Sequence, residues 1–253
     1  MSEVLSSSEP VIIRSPDEEW KVILTKEPFA SALAKLDRTY PKNVSLYLDY
    51  RAIQAADKLG LTLADEILEH PAKVIGDVRD TIWTHRLIRD KGEQDIKVRF
   101  THLPRKTAVR DIRAEHIGKF VSIEGIVRKS TEVRPRLTLA VFRCKSGHRS
   151  IRPQKFGAMV EPDCCDTDGC MNKKFELLPP PHSQFINSQR LKIQEFHEGL
   201  RGGEQPQSID CDVTDDLTGT IFPGTRVIVN GIVRQFQRQS YGKASTTFDV
   251  YIE

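Results

Sequence analysis

Four metal-ligand residues stand on two tight turns, Cys144-Lys145-Ser146-Gly147-His148 and, after sixteen further residues, Cys165-Asp166-Thr167-Asp168-Gly169-Cys170. An ion drawing on both turns would fix two distant stretches of chain face to face, a tighter constraint than any apolar pattern imposes. Gly147 and Gly169 fall where such knuckles need relaxed backbone. The spacings depart from two CxxC pairs, and Cys164, immediately before Cys165, could replace it as the third ligand. Three thiolates and an imidazole form the donor set of a closed, structural Zn2+ site. A zinc hydrolase would keep an open position and a general base nearby, and that reading is disfavoured. The five cysteines are odd in number, four of them lie in this stretch, and the start of the sequence lacks a signal peptide. A disulfide framework is therefore set aside, and an intracellular, reducing location is expected, in cytoplasm or nucleoid.

With 253 residues the chain can hold two or three modules, and no apolar run approaches the roughly 18 residues of a membrane span. No membrane partner is expected. The net charge of +3 is unevenly spread: residues 1–95 carry 13 basic and 17 acidic side chains, residues 96–253 carry 25 and 18. Within residues 119–155 ten Lys and Arg face only Glu124 and Glu132. Such a density favours a polyanion, most often nucleic acid.

Residues 1–19 are rich in Ser, Glu and Pro and read as a flexible end. Trp20, Ile23 and Leu24, then Phe29, Leu33 and Leu36, recur at helical steps and stop near Tyr40-Pro41. Residues 44–50 alternate as an extended piece, and a helical period resumes through Ile67, Val74, Val78 and Ile82, with Pro71 at a helix start. Residues 1–95 thus form a small helical domain with an acidic surface and no catalytic constellation, since His70 and His85 stand alone. From Ile96 the period becomes two: Ile96, Val98 and Phe100 alternate as a half-buried strand, and a short helix is expected over residues 109–117.

The octapeptides at residues 121–128 and 227–234 share five of eight positions, each with a glycine (Gly125, Gly231) between β-branched residues. Both read as bent strands of one strongly curved sheet. A curved sheet with short strands, basic ends and a long insertion points to a small OB-type barrel. After Pro179-Pro180-Pro181, residues 185–194 alternate Arg190 and Lys192 against Leu191 and Ile193, and residues 195–207 break the pattern as a long glycine-bearing loop. Cys211 lies on the next strand as a small buried residue outside the metal site. The last two strands, residues 226–238 and 244–252, form a hairpin whose arms and tip carry Arg234, Arg238 and Lys243. The expected class is α+β multidomain: a helical bundle domain, then an OB-fold β-barrel (96–140 and 183–253) with an inserted zinc-binding subdomain (141–182).

Taken together, residues 118–129, Val133-Arg134-Pro135-Arg136, the two metal turns, residues 191–195, Gly202-Gly203-Glu204-Gln205-Pro206, Asp215-Asp216-Leu217 and Pro223-Gly224 resemble, in order and interval, the N-terminal part of archaeal-type minichromosome maintenance (MCM) replicative DNA helicases. The likeness covers about residues 20–253. It implies a helical A domain, a zinc-binding B domain inserted into an OB-fold C domain, and homo-hexameric rings that can pair head to head as double hexamers. By position it implies single-stranded DNA contacts at Arg128 and Arg190, with Lys129 and Arg134 as neighbours, and Arg234, Arg238 and Lys243 on a channel hairpin. The same resemblance makes Cys144, His148, Cys165 and Cys170 the metal ligands, and Glu195, Gly202, Gly203, Glu204, Gln205 and Pro206 part of a loop signalling to an ATPase ring. Other replication proteins and double-stranded DNA are further expected partners.

No GxxxxGK[ST] phosphate loop occurs. The chain itself is accordingly expected to be non-catalytic, a fragment whose ATP- and Mg2+-dependent AAA+ motor lies in an absent C-terminal domain of an ATP-dependent DNA helicase. The alternative is an RNA-binding factor of translation or RNA processing built from an OB barrel and a zinc ribbon. It fits the composition but leaves the acidic helical domain and the 195–207 loop without a role.

Overall fold

The computed structural model describes residues 15–56, 63–89, 95–154, 157–196, 204–240 and 243–253, without the side chains of 238–240 and 243–245. It divides into two compact units, Met1–Pro104 and Arg105–Glu253.

In the first unit, helix α1 (Pro16–Leu24) starts four residues before Trp20, inside the stretch expected to be a flexible end, because local capping holds its first turn. The Ser15 hydroxyl accepts from the Glu18 N–H, Pro16 occupies the first turn, and Asp17, Glu18 and Glu19 meet the positive end of the helix dipole. Its inner face buries Trp20, Ile23 and Leu24. Helix α2 (Phe29–Thr39) buries Phe29, Leu33 and Leu36, and leads to strand β1 (Ser45–Asp49). Helices α3 (Tyr50–Ala56), α4 (Leu63–Glu69) and α5 (Pro71–Thr84) follow, with Pro71 again in the first turn. His85 is a structural residue: its Nε2 lies 2.9 Å from the Asp17 carboxylate, tying the end of α5 to the start of α1.

Strand β2 (Lys97–Thr101) pairs parallel with β1, Ser45 opposite Lys97 through Asp49 opposite Thr101. Alternation at Ile96–Phe100 announces a strand but not its partner, and the partner lies in the helical unit rather than in the barrel. The first unit therefore extends past residue 95 and contains a small sheet among its helices. No helix among the described residues is long and apolar enough to cross a membrane.

The second unit opens with two 3-10 turns, Val109–Asp111 and Ala114–His116, where a single helix is expected from sequence. Side chains take the backbone groups that a continuous helix would use: the Arg113 N–H donates to His116 Nδ1, and the Arg113 guanidinium donates to the Arg110 and Ile112 carbonyls. Strands β3 (Phe120–Ser130), β4 (Arg134–Cys144), β5 (Arg149–Pro153) and β6 (Phe175–Leu177) follow. Then come β7 (Gln184–Gln194), β8 (Ser208–Thr214), β9 (Arg226–Ser240) and β10 (Lys243–Ile252).

The sheet runs β3-β9-β10-β8-β7, and a further β3–β7 pairing closes it into a five-stranded barrel with one parallel pair, β10 with β8. This is OB topology. Strands β4, β5 and β6 belong to an excursion between β3 and β7 that leaves the barrel along β7. Val121, Ile123, Val127, Leu191, Ile193 and Val233 fill the interior, together with Val109 of the first 3-10 turn and Ile112 just after it. Cys211 joins this core, and burial pushes its thiol pKa up to about 12.

The two similar octapeptides are neighbours. Val121 pairs with Gly231 and Gly125 with Val227 in one antiparallel ladder. Each glycine also lets another chain segment cross close by. A Cβ on Gly125 would strike the Gln194 carbonyl and the Ile193 side chain; one on Gly231 would strike Ile252 and the Glu253 carbonyl.

Candidate metal centre and nucleic-acid interface

The end of β4 delivers Cys144. The chain turns through Gly147, whose φ of 86° suits glycine, and the Gly147 N–H donates to the Cys144 carbonyl before His148. In the second knuckle the Cys170 N–H donates to the Thr167 carbonyl around Gly169, φ 80°. Strand β6 returns the chain against β4, Cys144 opposite Phe175, and Arg152 of β5 clasps Asp166 with two hydrogen bonds of 2.9 and 2.5 Å. As a result the ligand atoms of Cys144, His148, Cys165 and Cys170 all lie within 4.8 Å of one another.

Cys165 is buried in this cluster, with Sγ 3.6 Å from His148 Nδ1, whereas Cys164 is exposed. Four soft or borderline donors at this separation fit a tetrahedral ion. The Cys170 thiol is held down at about 6, first by the Asn172 backbone N–H and also by the His148 ring. It is thereby poised to bind as a thiolate. Cys165 sits above the ordinary thiol value: the Thr167 N–H draws it down, but burial and the neighbouring Cys170 and Cys144 sulfurs outweigh that.

The cations of the barrel fall into two groups. A bulge between Val127 and Lys129 leaves Arg128 and Lys129 exposed on β3, with Lys192 of β7 opposite Lys129. Arg134 is exposed at the start of β4, 3.6 Å from an equally exposed Glu132. Arg190, by contrast, is half-buried, its guanidinium 5.9 Å from the Tyr251 ring centre and its backbone opposite Asp212. The Asp212 carboxylate is buried and accepts from Arg136 at 3.0 Å and from the Ser188 hydroxyl at 3.1 Å. Arg234 donates to the Glu253 carboxylate at 2.8 Å. The Arg238 and Lys243 side chains lie outside the described residues, although β9 and β10 pair around them as an antiparallel hairpin.

The 195–207 loop is held at its neck. The Glu195 N–H donates to the Gln207 carbonyl, and the Gln207 N–H donates to the Glu195 carboxylate. The same carboxylate, 7% exposed, accepts from the backbone N–H, Nε and Nη2 of Arg110, while Arg110 Nη1 reaches Glu204 at 2.5 Å. Burial alone would raise the Glu195 pKa, yet the Arg110 bonds hold it below the ordinary carboxylate value. Arg226 stacks on the Phe196 ring, 4.8 Å from its centre. Glu204, Gln205 and Pro206 are described; Gly202 and Gly203 lie outside the described residues.

Residues 108–237, more than half of the chain, match the MCM OB domain family. The chain belongs to the MCM family. The DNA replication licensing factor MCM6 of Arabidopsis thaliana is 27% identical over 198 residues, 76% of this chain and 24% of that protein. The minichromosome maintenance protein MCM of Saccharolobus solfataricus is 28% identical over 202 residues, 76% of this chain and 29% of that protein. The solved N-terminal domain of an archaeal MCM superposes with a TM-score of 0.73 at 29% identity, covering 94% of this chain and 95% of that one. The chain spans about a quarter of the length of the curated relatives it matches.

Arg110, Asp212 and Asn172 carry much of this MCM chain's site geometry and are not singled out by any sequence motif, and the motif that includes Arg136 does not announce its partner. Arg110 lies 85 residues from Glu195, and Arg136 lies 76 from Asp212. Once β7 is paired with β8, the Arg190–Asp212 register becomes the signal that finds Asp212.

Proposed function

We propose that this chain is the DNA-binding, ring-forming N-terminal part of an MCM replicative helicase, which grips single-stranded DNA on the barrel and relays to an ATPase domain elsewhere in the longer protein. The carrying observation is the exposed strip of Arg128, Lys129 and Lys192 at the β3–β7 bulge. Phosphates bound there release counterions, and a hexameric ring multiplies weak contacts around one strand. Arg190, Arg234, Arg238 and Lys243 are the further cations assigned to DNA contact in this reading, and the 195–207 loop is the relay. Cys144, His148, Cys165 and Cys170 hold a structural Zn2+ that pins the insertion; the ion supplies tetrahedral cross-linking and no chemistry. ATP and Mg2+ belong to the motor of the full-length helicase. Double hexamers, duplex DNA and other replication proteins are the corresponding partners, in an intracellular setting.

Fluorescence anisotropy against matched single-stranded DNA, single-stranded RNA and duplex DNA at two salt concentrations tests this. DNA-strand binding that falls steeply with salt, and that drops about tenfold or more in R128A/K129A, is expected. Equal affinity in that variant, or preference for RNA, would remove the reading.

A further inference from the structure

Asn172 touches three of the four candidate ligands while being none of them. Its side-chain Nδ2 lies 3.3 Å from Cys170 Sγ, 4.0 Å from Cys144 Sγ and 2.9 Å from Ser146 Oγ. Its carbonyl accepts the Cys165 N–H at 3.1 Å, and its backbone N–H reaches Cys170. One residue therefore joins the two knuckles, binding the second through its main chain and reaching the first through Ser146. An amide NH2 has two hydrogens, and this geometry directs one to the Ser146 hydroxyl and the other to the Cys170 sulfur.

Three thiolates and a neutral imidazole around a divalent cation leave the centre with one excess negative charge. Donors to sulfur spread that charge, keep the thiolate on the metal and make it a poorer nucleophile. We infer that Asn172 is a positioning residue of the metal centre, which sets how tightly the ion is held and shields Cys170 from attack by closing the sulfur's outer side with N–H donors. This inference rests on the metal reading of the cluster. It adds the assignment of retention to a residue outside the ligand set.

Replacement by Ala removes the amide and keeps the main-chain bonds; replacement by Asp keeps the shape, removes the donors and adds a carboxylate beside a thiolate. Ser146→Ala removes only the amide's second anchor. In the zinc-loaded chain, the rate of Zn2+ transfer to the chromogenic chelator 4-(2-pyridylazo)resorcinol should rise about tenfold in N172A, further in N172D and less in S146A. Alkylation by iodoacetamide, located by mass spectrometry, should speed up first at Cys170. In the Co2+-substituted proteins the sulfur-to-cobalt charge-transfer band should shift in the same order, an effect that a purely structural Asn would not produce. Should N172A fail to fold, S146A and N172D carry the same comparison. Wild-type-like release, alkylation and band position in the variants would overturn the role of Asn172. A wild-type chain that takes up neither Zn2+ nor Co2+ would instead overturn the metal reading beneath it.

Discussion

Gly125 and Gly231 hold equivalent places in one ladder, each opposite the valine that opens the other's octapeptide, Val227 and Val121. Each is also crossed by the end of a third strand, Gln194 of β7 over Gly125 and the Ile252-Glu253 end of β10 over Gly231. The first crossing lies on the β3–β7 seam that closes the barrel, and the second lies where the end of β10 packs on β9. Ala at either position must push a backbone carbonyl away, so G125A and G231A are each expected to cost about 1–3 kcal/mol, read from the urea midpoint at unchanged m value. A loss well below that range would mean that the strand ends separate freely and that closure does not depend on them.

The buried Asp212 makes Arg136 a structural cation, in contrast to the exposed Arg128. Removing its carboxylate in D212A leaves Arg136 with the looser Glu253 carboxylate at 4.0 Å and frees the Ser188 hydroxyl, at an expected cost of about 3 kcal/mol. R128A, on an exposed strand position, should change stability by less than about 0.5 kcal/mol while weakening DNA binding. Thermal unfolding and anisotropy on the same two proteins distinguish the roles. A large stability loss in R128A would show that Arg128 is spoken for within the fold.

Much of this architecture is written locally and so is legible in the sequence. Pro71 marks a helix start by itself, and Leu191 and Ile193 alternate against Arg190 and Lys192 whatever the partner strand, whereas Pro16 and the acidic first turn of α1 sit in a polar stretch that reads as a flexible end. Turn spacing marks the two metal knuckles for the same reason, but choosing Cys165 over Cys164 needs the fold of the second turn. What is not legible depends on pairing. Ile96–Phe100 looks like a barrel strand until β1 is seen beside it, and the charge of residues 119–155 cannot reveal that Arg136 is committed to Asp212. Likewise nothing near Arg110 announces Glu195, because the bond is made only when the 3-10 turn packs on the barrel.

That Arg110–Glu195 contact has a pH signature. Glu195 titrates below the ordinary carboxylate value of 4.5 in the folded chain, so the folded state prefers it ionised. Its contribution is fully present above pH 4.5 and fades as pH falls through the lowered folded value. The stability gap between wild type and E195Q should therefore be constant from neutrality to about pH 5 and shrink in more acid solution. Denaturant unfolding across this range checks it; a gap that widens on acidification would mean that the carboxyl is held protonated and the Arg110 bonds are not charge-assisted.

Metal removal tests the proposed centre in the insertion. C165S and C170S each delete a sulfur from the convergent cluster, whereas C164S changes an exposed thiol outside it. Zinc content by mass spectrometry is expected near one ion per chain in wild type and C164S, and to fall by at least tenfold in C165S and C170S after dialysis. Chelation of wild type should loosen residues 144–177 first, because β5 and β6 are short and the knuckles rely on the ion, while the closed β3-β9-β10-β8-β7 barrel retains its own core. Amide hydrogen exchange reads both regions in one experiment. Loss of zinc in C164S with retention in C165S would exchange the two cysteines' roles, and equal protection of residues 144–177 with and without chelator would show that packing around Phe142 and Phe175 holds the insertion without the ion.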